Sequence, residues 1–107
     1  MPAKAFVNSK YDLLINLSGL SQDINDFTEL TLTMDNTTVP ATPDVVLSMT
    51  GGAVTVTGNG NLSVEIGDTD VTVAGQYNLV MTGTIAGQNT TFTFEKANTI
   101  VFHETGL

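Results

Sequence analysis

The run Glu65-Ile-Gly-Asp68-Thr-Asp70 is the densest group of carboxylates in the chain. Hard oxygen ligands at this spacing suit calcium, but a complete calcium loop needs further ligands that the flanking residues do not supply. The run therefore reads as an acidic turn that solvates the surface. Asp23, Asp26 and Glu29 read the same way, with Asp23 or Asp26 as a turn or cap residue. His103 is the one histidine. Catalysis would need it beside a nucleophile or an acid, and no Ser or Thr is distinguished for that role. Glu104, its neighbour in a strand, would point to the opposite face. His103 is therefore read as a surface or terminal residue. Gly58-Asn59-Gly60-Asn61 has the glycines of a phosphate loop without its strand-to-helix setting, and reads as a hairpin turn. These groups assign no catalytic residue, no metal ligand and no cofactor site, and the reading is of a protein that is not an enzyme.

The elements that would position these groups are strands. Thr, Val, Gly and Asn dominate, and β-branched side chains suit a pleated surface better than a helix. Leu30, Leu32 and Met34 alternate with Glu29, Thr31 and Thr33. Leu62, Val64 and Ile66 alternate with Ser63 and Glu65, and Tyr77, Leu79 and Met81 with Asn78, Val80 and Thr82. Val54, Val56, Phe92, Phe94, Ile100 and Phe102 continue the pattern. Period two repeated so often marks strands with one buried face. Seven are expected, at roughly 10–17, 27–34, 44–49, 53–58, 61–66, 75–84 and 90–102, the last with a break near Ala97-Asn98. Only the segment from Ser21 to Asp26 suits a helical turn. Pro40 and Pro43 exclude a central strand between 35 and 44. The fold class is all-β, an Ig-like antiparallel β-sandwich of about seven strands.

A chain of 107 residues makes one domain. Residues 10–107 are assigned to the sandwich and residues 1–9 to a loose N-terminal arm that orders on a neighbouring subunit. The net charge is -8, with three lysines and no arginine. That balance argues against nucleic acid and against an anionic membrane as partners. The absence of cysteine excludes disulfides and thiolate metal sites. No apolar run with a cleavage site opens the chain, so a soluble protein made in the cytoplasm is expected. The glycosylation-type triplets at Asn16, Asn36, Asn61 and Asn89 then read as by-products of an Asn- and Thr-rich composition.

Two features of the strands bear on function. Tyr77 follows Gly75 at the start of a late strand, where immunoglobulin-like sandwiches place a tyrosine corner. An ordinary half-buried strand tyrosine is the other reading. Thr31, Thr33, Thr55, Thr57, Thr91 and Thr93 make the outward faces polar and nearly uncharged. Such a face or an unguarded edge suits a contact surface, and Thr is also simply the polar residue that best fits a solvated strand.

The stretch DTDVTVAGQYNLVMTGTIAGQNTTFTF, Asp68 to Phe94, resembles the closing strands of Ig-like domains in tailed-phage virion proteins. It is similar to the small domain that begins phage baseplate upper proteins, and LLINLSGLSQDINDFTELTLTM is similar to the opening strands of that domain. The resemblance implies a structural protein of the virion, synthesised in the host cytoplasm. For a stand-alone acidic sandwich it implies a capsid decoration or cement protein, bound in many copies to the head surface. Its partners would be the major capsid protein or tail and baseplate proteins, and copies of itself. A tail or baseplate accessory protein is the alternative within that class. A secreted surface or carbohydrate-binding module is the alternative outside it, and the lack of tryptophan for sugar stacking speaks against that one.

Overall fold

The computed structural model describes residues 5–20 and 22–104. Among these residues ten strands form: β1 Ala5–Phe6, β2 Tyr11–Ser18, β3 Glu29–Asn36, β4 Val45–Ser48, β5 Val54–Gly58, β6 Asn61–Ile66, β7 Gly75–Ile85, β8 Gln88–Thr91, β9 Thr93–Phe94 and β10 Thr99–His103. One sheet runs β1-β10-β7-β3-β4, with β8 also on β7, and the other runs β5-β6-β2-β9. The chain changes sheet between β1 and β2, β2 and β3, β4 and β5, β6 and β7, β8 and β9, and β9 and β10. This is an all-β sandwich, with β5-β6-β2 facing β10-β7-β3-β4 across one core.

The alternation explains the layers. Leu30, Leu32 and Met34 of β3 pair in register with Gly83, Met81 and Leu79 of β7 and point into the core. Ile15 and Leu17 of β2, with Leu62, Val64 and Ile66 of β6, close the core from the other sheet. Each such side chain contributes roughly 1.5–3 kcal/mol on burial. At Gly83 an added Cβ would lie 2.8 Å from the rings of Phe27 and Phe92. Those rings form an edge-on pair with centroids 5.1 Å apart, so the glycine gives the aromatic pair its seat.

Ten strands replace the seven expected, for two reasons. The run 90–102 is three strands: β8 pairs the end of β7, β9 crosses to pair Leu17 and Ser18 of β2, and β10 returns to the start of β7. The second reason is a correction to the arm assigned to residues 1–9. Ala5 and Phe6 form β1, parallel to β10, and Ala5 and Val7 are buried in the core. The sandwich therefore begins no later than Ala5, because Ala5 and Val7, five and three residues before the first expected strand, have a place to pack. Residues 1–4 of that arm lie outside the described residues. The 3-10 turn Ile24–Asp26 falls where a helical turn is expected, and Asp23 caps it by accepting from the Asn25 N–H at 2.9 Å.

The tyrosine corner is present. The Tyr77 hydroxyl donates to the carbonyl of Val73 at 2.6 Å, and its ring is fully buried against Phe102. Gly75 sits between them at φ +140°. A Cβ there would stand 2.8 Å from that of Thr38 and 2.9 Å from the Asn36 amide oxygen. Asn36, the one buried polar residue among those described, accepts from the N–H groups of Thr38 and Val39 at 2.9 and 2.8 Å and donates to the Ala74 carbonyl. Its amide is thus occupied internally, which removes Asn36 from any glycosylation reading. Tyr77→Phe keeps the ring and leaves the Val73 carbonyl short of a donor, and should cost about 1–2 kcal/mol in urea unfolding. Gly75→Ala adds backbone strain and a clash, and should cost about 2–4 kcal/mol. Equal stability of Tyr77→Phe and the parent would mean that the corner carries no weight.

Candidate functional site

The outer face of the β1-β10-β7-β3-β4 sheet is built by the residues that alternate with its core. From β3 it receives Glu29, Thr31, Thr33 and Asp35, and from β7 Gln76, Asn78, Val80, Thr82 and Thr84. Strand register places these in rows. Ser48, Thr31, Thr82 and Thr91 form one row across four strands, and Val46, Thr33 and Val80 form the next. Val46, Val80 and Val101 are 60%, 43% and 45% exposed, which is high for apolar side chains on one face. The charged residues of β3 stand at its two ends, and His103 stands at the end of β10 with Phe6 as its ring neighbour, centroids 6.0 Å apart.

Where the chain leaves the sheet for β9, the face opens into a cleft of about 380 Å³. Val80, Thr91, Phe94, Lys96 and Asn98 line it. Asn98 ties the returning chain to β7, its carbonyl accepting from the Leu79 N–H at 2.7 Å. Hydroxyls, an amide, exposed valines and one lysine give this surface the chemistry of contact: hydrogen bonds and apolar packing on a rigid support. The cleft was not foreseen from the sequence. The only signal for it is the interruption of alternation at Lys96-Ala97-Asn98.

Of the six threonines singled out by alternation, Thr31, Thr33 and Thr91 come together on this face. Thr55 and Thr57 lie on the outer face of the other sheet, near the 74%-exposed Leu14, and Thr93 belongs to β9. The acidic run is dispersed. Glu65 stands directly across from Asp12 of β2, an unfavourable like-charge pairing, while Asp70 folds back to accept from the Gly67 N–H at 2.6 Å. No group of three or more His, Asp or Glu among the described residues could hold a metal ion. Gly58 to Asn61 makes the β5–β6 hairpin, and its Asn59 side chain accepts from the Ile24 N–H at 3.1 Å.

Comparison with protein-family models, with curated proteins and with solved structures gives no match in any of the three.

At the edge of the face, Glu29 ties β3 to the turn after β4. Its carboxylate accepts from the N–H groups of Thr50 and Leu30, each at 3.0 Å. Hydrogen bonds from Thr50, side chain first and then backbone, hold its pKa below the ordinary 4.5. A lowered folded-state pKa means that this stabilisation is present above the ordinary value and is lost as the pH falls through the folded value. Glu29→Gln should therefore melt below the parent at pH 7, with the gap closing in acid. Thermal melts across that range check this, and a gap independent of pH would refute it.

Proposed function

We propose that this protein is a non-enzymatic structural component of a tailed-phage particle, a decoration or cement protein on the head surface. Its partner is the major capsid protein, bound through the outer face of the β1-β10-β7-β3-β4 sheet. The observation that carries this reading is that face: a rigid, nearly uncharged array of threonines with Val46 and Val80 in one cross-strand row. A sheet face of this kind complements a protein surface and offers little to a phosphate backbone. The net charge of -8 supports a place on the outside of the particle, away from packaged DNA. The resemblance of Asp68 to Phe94 to Ig-like virion domains supports the class of particle.

Mass spectrometry of phage particles produced from the source genome is the test. A copy number comparable with that of the major capsid protein is expected. A handful of copies per particle would move the protein to the tail or baseplate, and absence from the particles would overturn the virion reading. Val80→Glu places a carboxylate on an exposed strand position and should abolish particle binding while leaving the melting temperature within a few degrees of the parent. Retained binding would remove this face from the interface.

A further inference from the structure

We propose that the free edge of β4 is a docking site for an extended, lysine- or arginine-bearing segment of a different protein, which adds to the sheet as a further strand. The ladder fixes which backbone groups are open. The Met49 N–H donates to the Leu30 carbonyl at 2.8 Å, and the same register pairs Val46 with Thr33. The odd-numbered residues of β4 therefore bond to β3, and the N–H and C=O of Val46 and the N–H of Ser48 point away from it. The Ser48 carbonyl is already taken by the Ala53 N–H at 3.0 Å. The strand Val45-Val46-Leu47-Ser48 carries no charge, proline or bulge to discourage pairing.

What lies beside the edge selects the occupant. A groove of about 330 Å³ borders it, lined by Thr42, Asp44, Val46, Thr69, Asp70 and Thr72 among others. The Thr42 hydroxyl is buried and without a hydrogen-bond partner, alone in this among the described side-chain polar atoms. An added strand gains affinity from main-chain bonds and specificity from alternate side chains. The two groove carboxylates, Asp44 and Asp70, favour a cationic side chain at the position that faces them. A second copy of this chain is the poorer occupant, since each copy carries -8 and few lysines.

The test uses the whole, isotope-labelled protein and two synthetic peptides of about seven residues, long enough to span β4. Both alternate Thr and Val, one with a central Lys and one with a central Glu. The Lys peptide should shift the amide signals of Val46 and Ser48, slow their hydrogen exchange, and bind about tenfold more tightly than the Glu peptide. Val46→Pro removes the central donor at an edge position that tolerates proline, and should abolish binding. Asp44→Lys, at an exposed site, should reverse the preference between the peptides. Equal binding of the two peptides, or shifts confined to the threonine face, would overturn the proposal. So would concentration-dependent shifts at Val46 without peptide, which would give the edge to a second copy.

Discussion

The bond from the Tyr77 hydroxyl to the Val73 carbonyl is the constraint on which the arrangement of the sheets depends. It closes the connection that brings the chain from β6, in one sheet, to β7, in the other. The closure is tight enough that Gly75 must adopt a positive φ, and the absence of a side chain there admits Thr38 and Asn36. Asn36 then holds the loop after β3 to the residue before Gly75. Two loops far apart in sequence are locked to one another at the point where β3 and β7 begin to pair. That pairing runs over eight residues, Glu29–Thr84 to Asn36–Tyr77. A slip of one residue would turn Leu30, Leu32 and Met34 outward and Thr31 and Thr33 into the core. The corner thus reinforces a register that the burial of Leu30, Leu32 and Met34 already favours.

Two very short strands resolve a different problem, that of exposed edges. β1 covers the edge of β10 and β9 covers the upper part of β2, each with only two residues. Coverage by such short strands uses little chain. The cost of sending the chain across to β9 is a gap in the first sheet between β8 and β10, and this gap is the cleft at Val80 and Lys96. Among the described residues, β4 and β5 receive no such cover. The edges are therefore managed unevenly, with β4 left as an uncharged strand next to a groove.

Much of the fold was legible because alternation is a direct imprint of one-sided burial. The runs around Leu30, Leu62 and Tyr77 became strands, Gly58 to Asn61 became a hairpin, and Asp23 became a cap. The limits have one physical origin. Both sheets bury their inward residues in the same core, so period two reports inside or outside but not which sheet. Phe92 and Phe94 continue the alternation without interruption even though the chain leaves one sheet for the other between them. For the same reason Thr31 and Thr55 looked equivalent, while they face opposite sides of the molecule. Ala5 and Val7 were missed because a two-residue strand is too short to show a period. Asn36 was opaque because its role depends on Ala74 and Thr38 being brought to it by the fold.

The chemistry of the threonine face bears on how a partner would hold it. β-branched side chains are stiff at χ1, and in a strand their rotamers are restricted further by neighbours. A surface made of Thr31, Thr33, Thr82 and Thr91 therefore loses little side-chain freedom on association, whereas lysines or glutamates at the same positions would lose about 0.5–1.5 kcal/mol each. The same residues are small, so each contact is weak. If the proposed capsid partner holds this face, the weakness of each contact would be offset by the many such contacts that one rigid sheet makes at once. On that argument the value of the uncharged face lies in its rigidity and its compatibility with close neighbours. Under the proposed decoration role, a binding face free of concentrated charge would let like-charged copies sit close together, and the carboxylates of β3 stand toward its ends.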